Sequence, residues 1–155
     1  MTLTIVGLGP GDMDDLTRKA WRVLSEAETV YLRTAQHPCV PSLPQEGVTY
    51  HSFDAIYETA GDFDAVYATI VERLLDAARQ GDVVYAVPGD PLVGESTVTR
   101  LLEAAKSAGI ALEIVNGVSF VEPILTLLHT DALDGLQLLD GLGVAAMHHL
   151  SLIHI

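Results

Sequence analysis

Apolar positions along the chain fall into two alternating patterns. Short strand-like runs occur at Leu3 to Val6, Thr29 to Leu32, Val48 to Phe53, Val83 to Val87 and Leu112 to Val115. Between them the apolar positions recur at helical spacing. Leu16, Ala20, Val23, Leu24 and Ala27 share one face, with Asp14 and Asp15 placed to cap that helix. Val66, Ile70, Leu74 and Ala78, flanked by Val71 and Leu75, form a second stripe that stops at Gly81. Val98, Leu101, Leu102, Ala105 and Ala108 form a third, opened by Ser96 or Thr97 and closed by Gly109. Strands that alternate with helices predict a parallel sheet with crossover helices, and the wholly apolar Val83 to Val87 run belongs at its centre. The weakest strand is Val48 to Phe53. The segment from Thr34 to Gly47 carries Pro38, Pro41 and Pro44 and reads as an ordered loop with at most a short helix.

After Gly117 the rhythm changes to one apolar helix, about Phe120 to Leu128, and one strand-like run, Gly135 to Leu139. The expected fold is therefore α/β: a five-stranded, mostly parallel sheet with flanking helices, followed by the start of a second α/β domain. The expected boundaries are residues 1–117 for the first unit and 118–149 for the incomplete second. Leu150 to Ile155 breaks the pattern and reads as a non-native tail on a truncated chain.

Three glycine-bearing turns directly follow predicted strands: Gly7-Leu8-Gly9-Pro10-Gly11-Asp12, Pro88-Gly89-Asp90-Pro91 and Asn116-Gly117-Val118-Ser119. If the strands are parallel, all three turns lie along one sheet edge, where ligands of open α/β sheets bind. The first turn has the glycines of a dinucleotide loop, but Asp12 stands where that loop wants a third glycine and Pro10 removes an amide donor. A pyrophosphate cradle is disfavoured. No GxxxxGK[ST] sequence is present, so the P-loop of nucleotide hydrolases is absent. In the second turn Asp90 either holds a ligand at the strand mouth or caps the turn that follows. Ser119 in the third either caps the next helix or faces a ligand, and both roles can coexist.

A length of 155 residues suffices for one domain with a sizeable core, and the chain is 49% hydrophobic with 19% charged residues, a globular composition. Eight Lys and Arg against 21 Asp and Glu give a formal charge of -13, which repels nucleic acid and anionic membrane surfaces. A single cysteine, Cys39, excludes an internal disulfide and reads as a buried small residue. His148, His149 and His154 sit in or beside the tail and read as ordinary histidines, so no metal site is expected. With no long apolar span and no signal peptide in the sequence, a cytoplasmic location is expected.

The GLGPGD turn, the GDP turn and the G-V-S turn together resemble the tetrapyrrole methylases, the class III S-adenosylmethionine-dependent methyltransferases. More narrowly, Val30 to Pro38 (VYLRTAQHP), Ser52 to Glu58 (SFDAIYE) and Val83 to Glu95 (VVYAVPGDPLVGE) are similar to the methylase-like domain at the amino end of MazG-type nucleoside triphosphate pyrophosphohydrolases. The resemblance runs from Leu3 to about Asp140. It implies a chain that holds S-adenosylmethionine between two domains, with this chain containing the first. The cofactor positions it implies are Gly9, Pro10, Gly11, Pro88, Gly89, Asp90, Val93, Ser119 and Phe120. It also implies a small or macrocyclic methyl acceptor and in the narrower reading a fused pyrophosphohydrolase; the oligomeric state is left open, a homodimer being one option. No catalytic residue is assigned. Uroporphyrinogen-III methylases carry an acid after the second strand, whereas this chain has Arg33. Tyr31, His37 and Tyr57 are the titratable residues nearest the expected cleft, each more naturally a packing or surface residue.

Two functional readings follow. One is methyl transfer from S-adenosylmethionine, favoured by the GPGD and GDP turns. The other is a catalytically lapsed binding or regulatory domain, favoured by Arg33. A nicotinamide-type dinucleotide fold is weaker, because it wants an acid at the end of the second strand where Leu32 and Arg33 stand.

Overall fold

A computed structural model describes residues 1–59 and 62–141. The chain forms five strands: β1 (Thr2–Gly7), β2 (Val30–Leu32), β3 (Tyr50–Ser52), β4 (Val83–Val87) and β5 (Ala111–Val115). They interleave with α1 (Arg18–Glu26), α2 (Asp54–Thr59), α3 (Phe63–Ala78), α4 (Ser96–Ala108) and α5 (Val121–Leu128). The strands form one sheet in the order β3-β2-β4-β1-β5, and every pairing is parallel. The apolar run Val83–Val87 is the middle strand, buried along its whole length.

Side-chain alternation along the strands divides the core in two. On one face Leu3, Ile5, Val83, Tyr85 and Val87 pack beneath Ile56 of α2, Val66, Ile70 and Leu74 of α3, and Val98 and Leu101 of α4. On the other, Val6, Val30, Leu32, Val84 and Ala86 meet Ala20 and Leu24 of α1 and Val40 and Leu43 of a 3₁₀ helix, Val40–Glu46. Fully buried side chains such as Ile70, Leu74 and Leu101 each contribute about 1.5–3 kcal/mol by leaving water. The connections from β1 to β2 and from β2 to β3 run one way across the sheet on the α1 face. Those from β3 to β4 and from β4 to β5 run the other way on the opposite face. Opposite directions on opposite faces are what uniformly right-handed crossovers require. The chain therefore leaves the neighbouring strands β1 and β4 in opposite directions, and a crevice opens at their carboxyl ends.

The structure corrects several local expectations. The α1 cap is Thr17, whose hydroxyl accepts the Ala20 amide, and Asp14 and Asp15 sit in a preceding 3₁₀ helix, Met13–Asp15, capped by Asp12. Thr is a favoured cap though weaker than Asp, and its position two residues later lets the first turn finish before the helix begins. Leu102 and Ala108 of α4 face solvent instead of the core, since Val98, Leu101 and Ala105 already fill the stripe. The loop after β2 contains a seven-residue 3₁₀ helix started by Pro41, longer than expected. The segment α2 came without a helical stripe long enough to read. Residues 135–140 form no strand, and the only further element before them is a 3₁₀ helix, Ala132–Asp134. The tail 150–155 and His148, His149 and His154 lie outside the described residues. Cys39 is fully buried, and burial raises its thiol to about 11.

Candidate functional site

All three glycine turns project from the carboxyl edge of β4, β1 and β5, which lie side by side. They are bonded into one another. Gly9 donates its amide to the Gly89 carbonyl at 3.1 Å, Gly89 donates to the Gly9 carbonyl at 2.8 Å, and Leu8 donates to Val87 at 2.8 Å. A Cβ on Gly7 would lie 2.4 Å from the Gly89 carbonyl oxygen, and one on Gly117 would lie 2.2 Å from the same atom. Both positions therefore exclude any side chain.

Gly89 differs. Its φ of +65° favours glycine, but a Cβ there would fit without a clash, its nearest neighbours being Ser119 Cα and the Val118 carbonyl oxygen, each 4.0 Å away. Gly89 therefore faces the third turn across ordinary contact distance, without the clash met at Gly7 and Gly117. At one side the exposed ring of Phe120 reaches to 3.9 Å from the place a Cβ on Gly94 would take. Pro10 and Gly11 of the first turn, and Pro88 and Val93 of the second, are partly exposed at the same edge.

Asp90 holds the crevice together. Its carboxylate accepts the Leu92 amide at 2.8 Å through Oδ1, and the Asn116 side-chain amide at 3.1 Å and the Gly117 amide at 3.2 Å through Oδ2. It is a buried clamp between the second and third turns, and charge-assisted bonds of this kind are the stronger ones. Ser119 is also buried; its hydroxyl accepts the Val121 amide at 3.0 Å and donates to Glu122 at 2.6 Å, so it starts α5. That bond holds the Glu122 carboxyl below the usual range.

The titratable residues near the edge are engaged. His37 is buried, and its Nε2 lies 3.0 Å from the Gly9 carbonyl oxygen, which only accepts, so Nε2 carries the proton. Its Nδ1 faces the Cys39 amide at 3.4 Å and the Cys39 thiol at 3.2 Å. Burial lowers its pKa, against smaller opposing effects of the Gly9 bond and the Asp15 charge. Tyr31 stacks on Phe53 with centroids 5.4 Å apart, away from the glycine turns. The Tyr57 hydroxyl is enclosed without a well-aligned partner beside the Arg33 guanidinium, whose carbon lies 5.9 Å from the Tyr57 ring centre.

Arg33 at the end of β2 pairs with Glu95 at 2.9 Å, and Glu95 passes the contact through Thr97 at 3.0 Å to the Tyr85 hydroxyl at 3.1 Å. Burial is the largest single influence on the Arg33 pKa and would lower it, but Glu95, Tyr57 and Tyr85 together outweigh it and leave the pKa raised. For Glu95, burial raises the pKa and Arg33 and Thr97 oppose it. This chain of groups ties β2 to the start of α4, whose N-cap is Glu95. Sequence reasoning missed it, together with the roles of Gly7, Asn116 and Gly117. The one available signal was a cation at a strand end in a chain with so few.

A cleft of about 610 Å³ lies elsewhere, lined by Met13, Leu16, Arg18, Trp21, Arg22 and Glu46. No helix among the described residues is long and apolar enough to cross a membrane.

Residues 2–139 match the family model of the Tetrapyrrole (Corrin/Porphyrin) Methylases. The chain is 41% identical over 152 residues to YabN of Bacillus subtilis, covering 98% of this chain and 31% of that protein. It is 30% identical over 122 residues to the diphthine synthase of Methanospirillum hungatei, covering 79% of this chain and 46% of the relative. The crystal structure of uroporphyrin-III-C-methyltransferase from Thermus thermophilus superposes with a TM-score of 0.65 at 31% identity, over 83% of this chain and 52% of that one. A diphthine synthase structure, at 24% identity and a TM-score of 0.66, shares the fold. The chain thus spans about a third of YabN and about half of the methyltransferase relatives. With its five-stranded parallel sheet and the sequence match along nearly its whole described length, the chain belongs to the tetrapyrrole methylase family.

Proposed function

We propose that the crevice over Gly89 holds the adenosyl portion of S-adenosylmethionine and that the chain serves methyl transfer to a small or macrocyclic acceptor. The observation that carries this reading is the room where a Gly89 Cβ would stand, met only at 4.0 Å by the Val118 carbonyl oxygen and Ser119 Cα of the third turn. A planar ring can lie against a glycine backbone where any side chain would displace it. Gly9, Pro10, Gly11, Pro88, Asp90, Val93 and Ser119 shape the surrounding turns. When bound, S-adenosylmethionine supplies a sulfonium-borne methyl group for in-line displacement.

The chain's own part is placement. The paired Gly9 and Gly89 backbones fix two turns, Asp90 fixes the third against them, and a formal charge of -13 favours approach of a cationic donor. No side chain is assigned as a general base: His37 has both ring nitrogens engaged and Glu95 both carboxylate oxygens. Because the chain spans about half of its methyltransferase relatives, the acceptor site belongs to the reading of a longer, two-domain protein.

A second reading is a binding or regulatory domain derived from a methylase, serving a MazG-type pyrophosphohydrolase as the VYLRTAQHP and VPGDPLVGE stretches suggest. Arg33 favours it, since the acid that the uroporphyrinogen-III methylase comparison wants is replaced by a cation already committed to Glu95. Calorimetric titration of S-adenosylhomocysteine tests cofactor binding. One-to-one binding that weakens at least tenfold in Phe120→Ala is expected. No heat up to millimolar ligand would overturn the methyl-transfer reading and leave the regulatory domain. Methyl-labelled donor then separates them: transfer into an added tetrapyrrole or small-molecule extract supports the enzyme, and binding without transfer supports the regulatory domain.

A further inference from the structure

The cleft beside the first turn of α1 has a chemistry that the methylase reading does not use. Arg18, Trp21 and Arg22 stand at helical spacing on one face of α1, and with Met13, Leu16 and Glu46 they line about 610 Å³. None of the crevice residues Gly9, Gly89, Asp90, Ser119 or Phe120 lines it. The indole of Trp21 is half-buried against the core, and Met13 and Leu16 give the cleft an apolar wall.

Its charge runs against that of the chain. Eight Lys and Arg serve the whole sequence, and Arg18, Lys19 and Arg22 crowd into little more than one turn of α1. Among the described residues the salt bridges involve Arg33, Arg79, Arg100 and the amino terminus, and none of these three cations. Two of the nearby acids in sequence lie against the first turn. Asp12 accepts the Asp14 amide, and the Asp15 carboxylate lies over Gly11, 2.2 Å from where a Cβ would stand. Glu46 is the one carboxylate lining the cleft.

We propose that this cleft is a second ligand site, for a nucleoside phosphate. An indole face stacks on a planar base. Two guanidinium groups four residues apart on a helix converge on a tetrahedral phosphate, whose three free oxygens can occupy both, whereas a carboxylate satisfies one fork. Glu46 supplies an acceptor for a ribose hydroxyl or a ring amine and repels the phosphate, so the ligand lies one way round. The volume is in the range of small-ligand pockets.

Trp21 is the only tryptophan, so its fluorescence reports on this cleft alone. The probes are AMP, adenosine and inorganic phosphate, each titrated with and without saturating S-adenosylhomocysteine. AMP is expected to quench saturably in both conditions, with adenosine and phosphate at least tenfold weaker. Arg18→Ala and Arg22→Ala should each weaken AMP at least tenfold, and Lys19→Ala, off the cleft lining, less than threefold. In Trp21→Phe, followed by calorimetry, a ring remains and binding persists. The absence of saturable quenching, adenosine as strong as AMP, affinity unchanged in both arginine variants, or displacement of AMP by S-adenosylhomocysteine would each overturn the proposal.

Discussion

Gly7, Gly47 and Gly89 illustrate three different reasons for a glycine. Gly47 closes the 3₁₀ helix Val40–Glu46 at φ +86° with nothing within 4 Å of a Cβ, so Gly47→Ala should cost only the left-handed backbone penalty, about 1–2 kcal/mol. Gly7→Ala drives a methyl group into the Gly89 carbonyl and should cost more, about 3 kcal/mol or over, with a correspondingly larger fall in the urea midpoint. Equal losses in the two variants would contradict the interlocked turns. His37 carries a pH signature. Burial holds its folded-state pKa below the ordinary value of about 6.5, so the unfolded chain takes up the proton first. Stability therefore falls as pH drops from there to the native value and levels off below it. His37→Gln should flatten that part of the wild-type profile of urea midpoint against pH, and an unchanged profile would show that His37 is not the titrating group. At this scale the sequence showed where glycines fall but not what each one faces, because that depends on backbones brought together from strands distant along the chain.

Elements were legible in proportion to their burial. The central strand Val83–Val87 and the helix α3 follow from continuous and helical apolar patterns, since packing on both faces leaves no room for polar residues. The helix α2, six residues long, and the β3 strand Tyr50–Ser52, at the sheet edge, carry weak patterns because few of their side chains meet the core. What joins elements was hidden. The Arg33–Glu95 pair links residues 62 positions apart, and only the parallel placement of β2 beside β4 brings them within 2.9 Å. With Glu95 almost wholly buried and Arg33 mostly so, Arg33→Ala should strand a carboxylate and cost about 3 kcal/mol. The double variant Arg33→Met with Glu95→Leu should recover most of that loss in chemical denaturation. If the double variant is the sum of the singles, the pair is not coupled.

For the whole molecule, charge and apolar surface decide behaviour in solution. No residue of α5 is buried, and Phe120, Ile124, Leu127, Leu128, Leu133, Leu136, Leu138 and Leu139 are exposed. So large an apolar stretch on a described surface invites association. The sedimentation coefficient should rise with concentration, and Leu127→Lys with Leu128→Lys should suppress the rise; a concentration-independent monomer would contradict it. The fold class, the sheet edge and the three turns were read from the spacing of apolar runs and glycines. The crevice itself was not readable, since Asp90 and Ser119 carry it by bonds to backbone from other turns. The most direct test of the account is S-adenosylhomocysteine affinity in the wild type, Gly89→Ala and Gly47→Ala, compared by calorimetry. Both glycines have positive φ and should lose similar stability, but only at Gly89 does the added methyl group enter the crevice. The account predicts binding at least tenfold weaker in Gly89→Ala and within twofold of wild type in Gly47→Ala. Wild-type affinity in a folded Gly89→Ala variant would contradict it.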